Sequence, residues 1–194
     1  AADRARGAMS TAKPWRSTTK SRVLHKPIRV GCITDTSGSM VAYEKVVAEF
    51  AWLTSTAGRT VNARVAALTY GDTVYPVVLP AEIPTHVRRF AADGGTERFD
   101  EAAAAITQYL GLNVDDGSAK VLFNFSDGNY VVVDEPERAR LWLQQWTRSG
   151  TTVVWVGCHN YHRRLYEMPG VIFTDKMTLD TLVPELSEIL RNVT

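Results

Sequence analysis

Residues 28–40 read IRVGCITDTSGSM, and this stretch decides the fold. Its first eight residues, Ile28–Asp35, form a short apolar run that ends in turn-forming residues, the pattern of a buried parallel strand. From Ser39 the period changes. Apolar residues fall at Val41, Val46, Val47, Phe50, Ala51 and Leu53, a spacing that predicts a helix with Ser39 as N-cap and Gly58 near its end. A strand that feeds a helix through a short oxygen-rich turn is the start of a βαβ unit.

Working outward, the alternation repeats. Thr60–Tyr70 predicts a second strand, Gly71-Asp72 a hairpin turn, and Thr73–Leu79 a returning strand that Pro76 assigns to a sheet edge. Glu82–Ala92 reads as a short helix broken by Asp93-Gly94-Gly95. Thr96–Leu110 is alanine-rich and helical. Lys120–Phe125 is the next buried strand, stopped by Ser126-Asp127-Gly128. Asp134–Arg148 reads as a helix with an acidic first turn, Thr151–Gly157 and Val171–Thr174 as strands, and Leu179–Asn192 as a closing amphipathic helix. The expected fold is α/β: a doubly wound, mostly parallel six-stranded sheet with one antiparallel edge strand and helices on both faces.

The chain has 194 residues, enough for one domain with an arm. Its 45% hydrophobic and 22% charged content is that of an ordinary globular protein, and no apolar run is long enough to span a bilayer. The overall charge of +1 conceals an asymmetry. Residues 1–29 carry eight basic side chains against Asp3 alone, a net +7, and the remainder is net −6. Residues 1–27 therefore read as a basic arm or linker and residues 28–194 as the folded domain. The arm is either a solvated linker or a segment that docks on an acidic surface such as RNA, where Trp15 would stack on a base. No signal peptide is visible at the N-terminus. The first residue is Ala, so the expectation is a chain trimmed or cut from a longer one. Cys32 and Cys158, each in a predicted buried strand, read as free thiols, which fits a cytoplasmic setting.

Three oxygen-rich clusters follow predicted strand ends or open helices: Asp35-Thr36-Ser37-Gly38-Ser39, Thr96 after Gly94-Gly95, and Asp127. In a doubly wound sheet these would share the carboxyl rim, where ligands bind. Hydroxyl and carboxylate oxygens suit a hard divalent cation, magnesium or manganese. Ser37 and Ser39 are two residues apart, so one turn presents both hydroxyls, and Gly38 between them is expected to allow close backbone approach. Asp35 and Asp127 supply negative charge, which must also offset the positive helix end expected near Ser39.

The run CITDTSGSM resembles the metal-ion-dependent adhesion site of von Willebrand factor A-type (vWA) domains, whose core pattern is Asp-x-Ser-x-Ser. Asp35, Ser37 and Ser39 match it; Thr96 in DGGTERFDEA and Asp127 in FNFSDGN match the family's later threonine and aspartate. The resemblance extends over residues 28–192 and includes LTYGDTVYPV as the second and third strands. It implies direct metal contacts from Ser37 and Ser39, contact from Thr96 directly or through water, and water-mediated roles for Asp35 and Asp127. It also implies a partner protein whose Glu or Asp completes the coordination, and a binding rather than a catalytic role. Intracellular prokaryotic members often work beside an AAA-type ATPase or within a larger assembly, and some relatives sit in RNA-binding proteins.

Other chemistries fit less well. A phosphatase of the haloacid dehalogenase type needs a second aspartate as general acid where this chain has Ser37. No G-x-S-x-G elbow, Walker A motif or G-x-G-x-x-G motif is present. Cys158, His159 and His162 form a short run with zinc-ligand chemistry but no evident fourth ligand. The loop that holds them, with Tyr161 and Arg163, and also Tyr130, is expected to shape the partner surface. Trp52, Trp142, Trp146 and Trp155 read as core or half-buried packing.

Overall fold

The structure, a computed structural model, describes residues 26–92, 94–131, 133–158, 168–175 and 178–193. Most of the basic arm, residues 1–25, and the run His159–Arg163 lie outside the described residues.

Among the described residues, six strands form one sheet: β1 (Ile28–Asp35), β2 (Arg64–Tyr70), β3 (Val74–Val78), β4 (Ala119–Ser126), β5 (Thr151–Gly157) and β6 (Val171–Thr174). Their spatial order is β3-β2-β1-β4-β5-β6. All neighbours are parallel except β2 and β3, which pair antiparallel with a register shift at Ala67/Leu68. Pro76 sits on the edge strand, where its missing N–H leaves no ladder bond unmade.

The sheet is covered by helices α1 (Glu44–Thr60), α2 (Phe99–Leu110), α3 (Glu135–Arg148) and α4 (Leu179–Val193). Strand alternation sorts the core into two clusters. Val30, Cys32, Val65, Ala67, Phe123, Phe125, Val154 and Val156 pack with α1 residues Val47, Phe50 and Ala51 and with Leu182 of α4. Ile33, Leu68, Leu122, Val153 and Trp155 pack with Phe99, Ile106 and Leu110 of α2 and Leu143 and Trp146 of α3. Both thiols are buried, and burial pushes the Cys32 thiol up to about 12, which leaves it unreactive.

Several boundaries differ from the sequence reading. The helix expected from Ser39 begins as a 3-10 turn, Gly38–Tyr43, and becomes α-helical only at Glu44. Neither Ser37 nor Ser39 makes a side-chain cap bond; their hydroxyls lie 3.1 Å from each other instead. The second strand starts at Arg64, because α1 runs to Thr60 and Asn62 turns the chain at φ 55°.

The helix expected over Glu82–Ala92 does not form. Pro84 biases Ile83 away from helical geometry, and Thr85, His86 and Val87 are weak helix formers. Tertiary bonds take over: Arg88 pairs with Glu82 and donates to Val77 O at 2.8 Å, and Ala92 N–H donates to Glu44 Oε1 at 2.6 Å. The helix expected from Thr96 begins at Phe99, with Arg98 at the cap position, so Thr96 stands free of it.

The order reverses between β1 and β4, adjacent strands whose chains leave the sheet at Asp35 and Ser126. That switch point is where the candidate site lies.

Candidate functional site

Asp35 ends β1 with its side chain fully buried on the α2–α3 side of the sheet. Its Oδ1 accepts the Ser37 N–H at 2.8 Å, which folds residues 35–37 into a tight turn. Its Oδ2 accepts the Ser126 hydroxyl at 2.8 Å, from the end of β4. Ser126 Oγ in turn accepts the Gly128 N–H at 2.9 Å, so one hydroxyl links Asp35 to the loop that carries Asp127. Asp127 is also buried, and its Oδ1 accepts the Asn129 N–H at 2.9 Å.

The second loop joins the first through backbone. Gly38 N–H donates to Gly94 O and Gly94 N–H donates to Thr36 O, both at 3.1 Å, which makes an isolated parallel bridge between Ser37 and Gly94. A Cβ on Gly94 would lie 3.2 Å from Asp72 N, Gly71 Cα and Thr36 O. Three backbones meet there, and only glycine fits without displacing one. Gly38, expected to serve close approach, is different: a Cβ there would meet nothing within 4 Å, so its side of the turn is open. Thr96 is exposed, two residues beyond the bridge. Asp72 holds it: Oδ1 accepts the Thr96 hydroxyl at 2.8 Å and the N–H groups of Gly95 and Thr96. These bonds hold the Asp72 carboxyl below the usual carboxylate range.

A third link closes the ring. Glu97, 4% exposed, accepts the Val131 N–H at 2.9 Å, tying the second loop to the third. Each of the three loops is thus bonded to the other two. Burial pushes the Asp35 carboxyl up to about 6, with the Asp127 charge adding to the effect and the bonds from Ser37 and Ser126 opposing it. Burial likewise raises Glu97, against the Val131 bond and with the charges of Asp127 and Glu135 adding.

The five residues read from the sequence are therefore Asp35, Ser37 and Ser39 in the first loop, Thr96 in the second, bridged to the first, and Asp127 in the third, joined to Asp35 through Ser126. The sequence reading did not single out Asp72, Glu97 or Ser126. Asp72 read as a hairpin residue, and Ser126 as part of a strand stop. Tyr130, expected at the partner surface, instead packs its ring on Phe99 at 6.0 Å and buries its hydroxyl. Trp146 and Trp155 are fully buried, and Trp52 and Trp142 half-buried.

The donor set fits a hard divalent cation. It consists of oxygens only, and Asp35 and Asp127 are buried without an ion-pair partner among the described residues. Buried anions without a counter-charge are costly, and a cation offsets that cost. Among the described residues no three His, Cys, Asp or Glu side chains cluster as a metal site. A cation held by these five residues would rest largely on hydroxyls, a donor set unlike the thiolate and imidazole ligands of a zinc centre.

The six-stranded, mostly parallel sheet with one antiparallel strand and helices on both faces matches a Rossmann-like vWA fold. Among solved structures the chain is similar to proximal thread matrix protein 1 from the mussel byssus, with TM-score 0.58 and 14% identity over 87% of this chain and 47% of that one. It is also similar to an aerotolerance-related membrane protein from Bacteroides fragilis NCTC 9343, with TM-score 0.57 and 11% identity over 86% of this chain and 98% of that one. A further structure of the mussel protein, at TM-score 0.57 and 14% identity, has a zinc-occupied MIDAS motif. The chain spans about half the length of the mussel protein. At these identities the likeness is one of fold. No family model and no curated protein matches the chain. Among the described residues, no helix is long and apolar enough to cross a membrane.

Proposed function

We propose that the chain is a divalent-metal-dependent protein-interaction module that binds an acidic residue of a partner and does not catalyse a reaction. The observation that carries this reading is the closed ring of three loops, with the Ser37 and Ser39 hydroxyls 3.1 Å apart and the Asp35 and Asp127 carboxylates buried in the first and third loops. Ser37, Ser39 and Thr96 would hold magnesium or manganese, with Asp35 and Asp127 supplying charge. The metal would supply a coordination position for a carboxylate brought by the partner. Asp72 accepts the Thr96 hydroxyl proton, which leaves that oxygen's lone pairs for a cation. The zinc-occupied motif of the mussel protein supports a divalent ion in this fold. We place the module in a larger intracellular assembly, such as one built around an AAA-type ATPase.

Calorimetric titration of the chain with magnesium and manganese tests the reading. Heat of binding that disappears in Asp35→Ala, with the fold retained by circular dichroism, is expected. Identical titrations for both proteins would remove the metal from the proposal. A second reading rests on the net +7 of residues 1–29: the arm binds RNA. Salt-sensitive RNA binding lost on deletion of residues 1–27 would support it, and no binding at low salt would end it.

A further inference from the structure

A cleft of about 520 Å³ opens beside the loop ring, between edge strand β3 and the irregular segment before Gly94. Thr36, Thr69, Tyr75, Arg88, Arg89 and Phe90 line it. Thr36 and Gly94 belong to both cleft and ring, so the two are continuous. The charges in the cleft are unequally committed. Arg88 is bound to Glu82 and to Val77 O. Asp72, also on the wall, uses Oδ1 for Gly95 and Thr96. Arg89 is exposed, and its guanidinium makes no ion pair among the described residues. Tyr75 is 63% exposed on the edge strand.

We propose that this cleft is a second binding subsite that takes an acidic side chain of an extended partner segment. That carboxylate pairs with Arg89 and the segment's backbone lies over Tyr75, while another carboxylate of the same segment reaches the Ser37–Ser39 hydroxyl pair. The proposal deepens the interaction reading and rests on it. A guanidinium offers two parallel donors to a carboxylate, and arginine and tyrosine carry a large share of the energy at protein contacts. One uncommitted guanidinium beside a ring of buried carboxylates matches a carboxylate pair spaced along a peptide; a nucleic acid backbone needs several cations in a row.

The test uses the full isotope-labelled chain with magnesium and synthetic peptides at up to millimolar concentration. One set carries Asp with a second Glu at a spacing of about two to six residues, a reach set by the rise of extended chain. Controls carry Asp alone. The expected result is that amide resonances of residues 73–75, 77 and 88–91 shift with a doubly acidic peptide, which binds about tenfold tighter than the control. Arg89→Glu, at an exposed position, brings the doubly acidic peptide to the level of the control while resonances of Ser37–Met40 still respond. Equal affinity for the two peptide sets, absence of shifts in the cleft, or indifference to Arg89→Glu would each overturn the subsite. Failure of the metal reading looks different: binding would survive chelation and Asp35→Ala, yet still depend on Arg89.

Discussion

Replacing Ser126 by Ala removes one hydroxyl, and the structure sets how much should be lost. That oxygen donates to Asp35 Oδ2 at 2.8 Å and accepts from Gly128 N–H at 2.9 Å, and both Ser126 and Asp35 are fully buried. A hydrogen bond to a charged group contributes about 1.5–3 kcal/mol, and an orphaned buried N–H costs about 1–3 kcal/mol. The two losses share one cavity and partly relax together, so the expected destabilisation is about 2–4 kcal/mol. For a domain of this size that lowers Tm by about 5–15 °C. Urea unfolding in the presence of a chelator measures the intrinsic loss without interference from metal binding. A second readout is metal affinity, which should fall about 10–100-fold because Asp35 loses the partner that orients it. A loss of stability under about 0.5 kcal/mol would place the substitution among ordinary surface changes and refute the claim that Ser126 links the first and third loops.

Further outcomes follow from the same geometry. Gly94→Ala forces a Cβ against three backbone atoms at 3.2 Å and should cost about 1–3 kcal/mol with weakened metal binding, whereas Gly38→Ala, with open space around it, should change stability by less than about 0.5 kcal/mol; equal effects in calorimetry would contradict the crowding argument. Asp72→Ala frees Gly95 and Thr96 and should reduce manganese affinity about tenfold, with undiminished affinity counting against any role for Thr96. Asp116 is held below the usual carboxylate range by the Ser118 hydroxyl and N–H, with Arg29 adding to the effect. Its folded value lies below its unfolded value, so its contribution is present above about pH 4 and lost as pH falls through the folded value. Asp116→Asn should therefore lower the urea midpoint near neutral pH and leave it unchanged in strong acid, and a uniform drop at all pH values would assign the effect to packing.

The elements legible in the sequence were those whose burial pattern is repeated by several residues. β1, β4 and β5 are apolar on both faces because helices cover both sides of the sheet, and such runs announce themselves. Pro76 placed β3 at an edge for a local steric reason. The helix over residues 82–92 was misread because what holds the segment lies outside it: the Arg88 side chain donates to Val77 O, and the Ala92 N–H donates to Glu44 Oε1. The site shows the same division. Asp35, Ser37 and Ser39 sit in one turn and are visible together. Ser126 and Glu97 tie the loops together through Asp35, 91 residues away, and Val131, 34 residues away, and no spacing reveals those links. Gly94 was visible as a breaker, but the reason for glycine there is the approach of Asp72, Gly71 and Thr36, which only the folded chain brings together.

Glu97 also bears on what the proposed site would grip. With Asp35 and Asp127 it is a third buried acidic residue of the ring, and the Asp127 charge acts on it, so its own negative charge would oppose an incoming carboxylate. Glu97→Gln separates the two roles of this residue. The amide oxygen still accepts the Val131 N–H, so the link between the second and third loops is kept, while one negative charge is removed. Metal binding should weaken, because an opposite charge within a partly desolvated site is lost. Acidic peptide should bind about tenfold more tightly to the metal-saturated variant, because the like charge that opposed it is gone. Titrations of manganese, and then of peptide at saturating manganese, separate these effects. If peptide affinity falls along with metal affinity, the charge argument for the partner's carboxylate fails.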